Sequence, residues 1–128
     1  MVRQVRATGA RVVVLGPTPK PRVDVPDCLA EHLRDASACT TPRAVAINAA
    51  GLAAEWRAMR AAGGVYLDVT PWLCTGSTCV VQVGNLLAYR DDNHLTTTYT
   101  TWLAPLLGYQ LERSIRADVL GALGSPAG

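Results

Sequence analysis

The chain reads as an α/β domain built on a mostly parallel sheet, and three observations predict it. Residues 12–15 and 65–69 are short, continuous apolar runs rich in valine, the pattern of strands covered on both faces. Between them Val45, Ala49, Leu52, Trp56 and Met59 recur at spacings of three or four, which places one apolar stripe along a helix. Strand, helix and strand in that order make a unit whose parallel crossover is right-handed almost without exception. An apolar share of 49% over 128 residues is ample for the core of one small domain.

Residues 1–7 are expected to form the end of a helix that Gly9 stops. The first strand follows at 12–15. In an open α/β sheet the loops beyond the strands' carboxyl ends build the binding site, so Gly16-Pro17-Thr18-Pro19 should lie near bound substrate, with Thr18 and Pro19 as candidate contacts. A stiff connector with no role in binding would use the same residues. Residues 20–41 are too long and too rich in proline for a simple connection and read as an excursion. Within it residues 26–33 suit a short helix capped by Asp27, on which His32 is an ordinary solvated histidine.

Thr41 as cap and Pro42 at the first helical position start the main helix, Gly63-Gly64 stops it, and Trp56 and Met59 belong to the core. After the strand at 65–69, Asp68 is expected to anchor the turn through Thr70-Pro71-Trp72. Cys74 to Cys79 make a tight turn, and the apolar runs 80–83 and 86–89 flank Gly84-Asn85 as a hairpin. Residues 96–107 form a helix whose Tyr99, Trp102, Leu103 and Leu106 face the core and which Pro105 kinks or shortens. A second helical segment at 109–120 and a frayed tail of small residues at 121–128 complete the chain.

Chemistry is concentrated in Tyr89-Arg90-Asp91-Asp92-Asn93-His94-Leu95, where a carboxylate, an amide and an imidazole share one turn. Histidine moves protons near neutral pH, and a carboxylate three residues earlier can curl round to accept its ring N–H. Asp91 would then fix the tautomer of His94 and leave the other ring nitrogen basic, as in a serine-hydrolase triad. Spacing alone is a weak signal, and a solvated turn with a surface histidine fits it as well.

Four cysteines fall into two close pairs, Cys28 with Cys39 and Cys74 with Cys79, a spacing that suits local disulfides in an oxidising compartment. A four-thiolate zinc site and four buried free thiols are the other readings, although Cys28 and Cys39 stand too far apart for a zinc knuckle. No apolar run is long enough to span a bilayer, and residues 1–9 lack the core of a signal peptide. Disulfides without an export signal are reconciled if the chain is the tail of a larger membrane protein whose upstream helices deliver it to the outer face. A net charge of +2, with scattered arginines and no interleaved aromatics, argues against nucleic acid as a partner.

Four pieces of the chain carry a family resemblance: Arg11-Val12-Val13-Val14-Leu15-Gly16-Pro17-Thr18-Pro19, the spaced Cys28 and Cys39, Asp68-Val69-Thr70-Pro71-Trp72-Leu73-Cys74, and residues 89–96. Together, over residues 10–108, they resemble the C-terminal half of the SGNH-type domain of bacterial membrane acyltransferases of the acyltransferase-3 family, which O-acylate cell-surface glycans. The resemblance implies a flavodoxin-like, three-layer fold, with residues 1–128 forming one partial domain that lacks its upstream strands. It implies Asp91 and His94 as two of three triad members, with Asn93 beside substrate. The partners it implies are an acyl donor, a glycan acceptor, the upstream half of the same domain and a membrane-spanning acyltransferase region. No cofactor and no metal are expected, and the location is the outer face of the membrane.

The family's Gly-Asp-Ser nucleophile block and its Gly-x-Asn-Asp block do not occur in this sequence. Ser37, Ser77, Ser114 and Ser125 are not set at a strand-to-helix turn. The expectation is therefore half an active site, inactive as an isolated chain and prone to self-association through an uncovered apolar edge. A non-catalytic remnant or carbohydrate-binding module with the same fold is the alternative.

Overall fold

The computed structural model describes residues 1–123. In chain order the elements are α1 (Val2–Ala7), β1 (Val13–Leu15), α2 (Val25–Glu31), a 3-10 turn at Ala36–Cys39, β2 (Thr41–Pro42), α3 (Arg43–Ala46), α4 (Ala49–Ala61), β3 (Val65–Leu67), a 3-10 turn at Thr70–Trp72, β4 (Thr78–Cys79), β5 (Gln82–Val83), β6 (Leu86–Leu87) and α5 (Thr97–Leu123). The expected frayed tail lies largely outside the described residues.

β1 and β3 pair in parallel, with Val13 opposite Val65 and Leu15 opposite Leu67. The ladder extends at both ends, since the Val65 N–H donates to the Val12 carbonyl and the Gly16 N–H to the Leu67 carbonyl, each at 2.9 Å. This is the α/β arrangement expected from the two apolar runs, and α4 and α5 both pack on β3. The strands are not covered on both faces, however. Val13 and Val14 are half-buried and Leu15 is 47% exposed, because among the described residues β1 has a neighbour along one edge only.

The excursion after β1 is stapled by a disulfide between Cys28 of α2 and Cys39 of the 3-10 turn. α2 starts earlier than expected. Asp24, not Asp27, is the cap, and its carboxylate accepts the Asp27 N–H at 3.2 Å. Pro26 is tolerated in the first turn because the N–H it lacks would have no partner there.

The main helix is also broken where one was expected to run unbroken from Pro42. Thr41 and Pro42 pair with Thr78 and Cys79 as β2 and β4, α3 makes a single turn, and α4 restarts behind Asn48, whose side chain accepts the Gly51 N–H at 2.9 Å. Two start signals compete in this stretch, and the strand pairing takes the first. Met59 is buried as expected, but Trp56 is 46% exposed and instead lies under the Arg60 guanidinium, 5.1 Å from the ring centroid.

Cys74 and Cys79 are joined by the second disulfide and close the turn that leads into β4. The hairpin forms as expected, with Gln82 opposite Leu87 and Val83 opposite Leu86. Gly84 takes the first central turn position at φ 56, a left-handed conformation that suits glycine in a tight hairpin turn.

α5 is one continuous helix, not two. Pro105 and Thr101, whose carbonyl the proline leaves without a helical donor, both lie on the exposed side, where water can take the freed carbonyl. Of the residues expected to face the core, Tyr99 and Leu103 do, whereas Trp102 and Leu106 are exposed. The core itself, with Val25, Leu73, Val81, Tyr89 and Tyr99 among its most buried members, lies directly behind the hairpin that carries the candidate site.

Candidate active site

The loop after β6 is closed from both ends. Tyr89 and Leu95 form an antiparallel bridge, the Arg90 N–H donates to the His94 carbonyl at 2.9 Å, and the Thr96 N–H donates to the Ala88 carbonyl at 2.9 Å. Thr96 then caps α5, its hydroxyl accepting the Tyr99 N–H at 3.0 Å and donating to the Leu87 carbonyl at 2.6 Å. Asp91, Asp92, Asn93 and His94 are thereby held on a short arch between the last strand and the last helix.

Inside the arch Asp91 is the hub. One carboxylate oxygen, Oδ1, accepts the backbone N–H groups of Asn93 at 2.8 Å and His94 at 2.6 Å. The other, Oδ2, lies 2.8 Å from His94 Nδ1. The His94 backbone N–H, then its imidazole and the Asn93 N–H, hold the Asp91 carboxyl down at about 2. At neutral pH Asp91 is therefore an acceptor only, so the proton in this pair sits on Nδ1 and Nε2 is the basic nitrogen. The imidazole is 59% exposed, and Arg90 Nε stands 3.8 Å from the same Asp91 oxygen.

The other candidates are placed as follows. Asn93 joins the arch through its backbone. Pro19 is buried and its carbonyl accepts the Tyr89 hydroxyl at 2.8 Å, which ties the 16–19 loop to the arch. Thr18 is half-buried between two cavities. One, of about 200 Å³, is apolar and runs past Trp72, Leu103 and Leu107 to Leu95, the residue after His94. The other, of about 80 Å³, has mixed walls, with Pro17, Ile47 and Leu52 beside Asn48 and Thr70, and lies at the start of α4. Asp68 accepts the Thr70 N–H at 2.9 Å and so anchors its turn. His32 is exposed at the end of α2.

All four cysteines are in disulfides, and among the described residues no group of three His, Cys, Asp or Glu side chains is placed to hold a metal ion. No serine among the described residues is hydrogen-bonded to His94. Ser37 bonds Asp35, Ser77 lies in the turn between the bridged cysteines, and Ser114 is on α5, while Ser125 lies outside the described residues. Sequence reasoning missed the tie from Tyr89 to Pro19, and no local signal could have shown it.

A family model described as the SGNH domain fused to AT3 domains matches residues 1–108. The chain belongs to that family. The SGNH chain is similar in structure to the periplasmic domain of a lipopolysaccharide acetyltransferase from Salmonella ser. Paratyphi A, with a TM-score of 0.61 at 19% identity. That likeness, one of fold, covers 84% of this chain and 44% of the other, so the SGNH chain spans less than half of the structure it matches. None of the curated proteins matches it. Family and fold agree with the resemblance carried by the strand at 12–15, the 68–74 turn and the arch at 89–96.

Proposed function

We propose that the chain supplies the histidine and aspartate of an acyl-transfer site in an extracytoplasmic SGNH domain, with glycan hydroxyls as acceptors. The reading is supported above all by the 2.8 Å contact between Asp91 Oδ2 and His94 Nδ1, made by a carboxylate that two backbone N–H groups already keep ionised. An imidazole oriented in that way has its second nitrogen poised as a base.

A serine supplied by the upstream half of the domain attacks the acyl carbonyl of the donor, and its proton passes to His94 Nε2. Asp91 stabilises the imidazolium across Nδ1. Collapse of the tetrahedral adduct returns the proton to the leaving group and leaves an acyl-serine. A glycan hydroxyl then attacks the acyl carbon, Nε2 takes its proton, and that proton goes to the serine oxygen as the ester departs. Thr18, Pro19 and Asn93 border the substrates. Two disulfides support an oxidising location. No described helix is long and apolar enough to cross a membrane, so attachment falls to the AT3 region to which such domains are fused.

A carbohydrate-binding role without chemistry is the second reading. The two separate in the AT3-fused protein. Asp91→Asn should lower acyl transfer by roughly 10⁴-fold, because the amide favours the wrong imidazole tautomer. Asp92→Asn, at an exposed neighbour, should leave transfer close to wild type. Transfer that survives Asp91→Asn but not Asp92→Asn removes the triad assignment.

A further inference from the structure

α5 carries a row of exposed side chains that acyl transfer does not use. Trp102, Leu106, Tyr109, Arg113 and Arg116 follow one another at spacings of four, three, four and three, which sets them in one line along the helix. With a rise of about 1.5 Å per residue, the line is about 21 Å long. Its first part is aromatic and apolar and its second part is cationic. On one side it borders the face that Tyr99 and Leu103 turn to the core, and on the other the exposed Thr101, Pro105, Gly108 and Glu112. We propose that this row is a contact surface for an anionic lipid bilayer, with its aromatic end at headgroup depth and its guanidinium groups on lipid phosphates.

The partner follows from the chemistry of the row. Indole and phenol each join an apolar body to one polar group, which suits the boundary between hydrocarbon and water. Both rings are braced: Trp102 leans on the buried Tyr99, with centroids 5.4 Å apart, and the Arg113 guanidinium stands 5.6 Å from the Tyr109 centroid. Arg116 lies 3.8 Å from Glu112, but both side chains are largely exposed, so the pairing is worth little and a phosphate can replace it. More positive charge gathers at the same end. Arg11 donates to the Ile115 carbonyl at 3.0 Å, and Arg60, over the Trp56 ring, lies across a groove from Ser114 and Ala117.

A protein partner would need an acidic patch and an apolar patch in the same order and at the same spacing. A bilayer presents phosphate above hydrocarbon at every point of its surface, so a row of this mixed kind meets its complement there without a matched partner. The AT3 attachment proposed above keeps a bilayer within reach and raises the effective concentration of lipid, which lets a weak contact hold. That nearness rests on the AT3 attachment, whereas the affinity of the row for lipid does not. In water without lipid the apolar end is left to other copies of the chain, so lipid binding and self-association compete for it.

The test is flotation of the chain with phosphatidylcholine vesicles, with and without phosphatidylglycerol, at physiological salt. Binding should require the anionic lipid. Arg113→Glu/Arg116→Glu should weaken it by at least about tenfold, and Trp102→Ser should weaken it severalfold. Lys20→Glu/Arg34→Glu makes the same change in net charge at exposed positions off the row and should bind close to wild type, because salt screens distant charges. In the AT3-fused protein, Tyr109→benzoylphenylalanine should crosslink to lipid on illumination. No flotation with either vesicle, equal flotation with both, full affinity in the row variants, or an equal loss in Lys20→Glu/Arg34→Glu would each overturn the proposal. So would a crosslink to protein alone, which would mean that another part of the AT3-fused protein or a second copy covers the row. Asp91→Asn should bind vesicles as the wild type does, so the row and the triad stand or fall separately.

Discussion

The Tyr89 hydroxyl donates to the Pro19 carbonyl at 2.8 Å across 70 residues of sequence. It joins two loops that are far apart in sequence, the one after β1 and the arch after β6. Tyr99 does the same for α5 and the turn after β3, donating to the Trp72 carbonyl at 3.0 Å. Burial pushes the Tyr89 phenol well above its ordinary range, so it remains a donor at any physiological pH. His94 is thus referenced to the end of the parallel sheet through one buried hydroxyl and does not depend on its own exposed loop alone.

Tyr89→Phe should therefore cost about 1–3 kcal/mol, because it leaves the Pro19 carbonyl buried without a donor while keeping the ring. Urea unfolding checks this, with the midpoint falling at unchanged slope. Backbone NMR should show shifts in both loops, at 16–18 and at 91–94. Changes limited to the immediate neighbours of residue 89 would mean that the two loops are positioned independently.

The arch should also come apart in acid, within a defined window. Asp91 has a folded pKa of about 2, below its ordinary value of 3.8, so its folded form binds the proton less readily than the unfolded chain does. The stabilisation is present above the unfolded value and is lost as pH falls through the folded one. The carboxyl carbon of Asp91 should titrate near 2, and the amide shifts of Asn93 and His94 should follow it. A midpoint near 4 would show that the hydrogen bonds to His94 and Asn93 are not kept in solution.

How much of this was legible in the sequence follows the distance over which each feature is made. The pairing of Asp91 with His94 spans three residues and needs only a turn, and β1 and β3 announce themselves as valine-rich runs. The apolar stripe through Trp56 showed which face of α4 is available but not whether anything covers it, and Trp56 is 46% exposed. Thr41 and Pro42 look like a helix start because the strand partner that claims them, Thr78 and Cys79, lies far along the chain. The cost of Pro105 depends on which side of α5 it occupies, which only packing decides. Tyr89 with Pro19, and the cavity that gathers Thr18, Asn48 and Thr70, are long-range and had no local signature.

The two disulfides should differ in worth. Cys28 and Cys39 are 11 residues apart and Cys74 and Cys79 are 5 apart, so the first closes the longer loop and removes more freedom from the unfolded chain. Loop entropy puts them at about 3 and about 2 kcal/mol. Chemical denaturation of Cys28→Ser/Cys39→Ala and Cys74→Ser/Cys79→Ala measures each. Both pairs carry a further packing cost, since Cys39 and Cys79 are each buried, so the difference between them reports the loop lengths. Equal losses would mean that the unfolded chain already keeps the 20–41 excursion compact.

An exposed apolar surface remains, and it should make the isolated chain self-associate. Leu15 is 47% exposed where β1 has an open edge, and on α5 Trp102, Leu106 and Tyr109 follow one another at spacings of four and three with 52%, 37% and 56% exposure. A helix stripe of that width, and a strand paired along one edge only among the described residues, are both surfaces that proteins normally cover. Sedimentation velocity over a hundredfold range of concentration should show the mean mass rising, and Trp102→Arg should suppress the rise without lowering the thermal midpoint, because the indole is half in solvent already. A chain that stays monomeric throughout would show that this surface is tolerated in water.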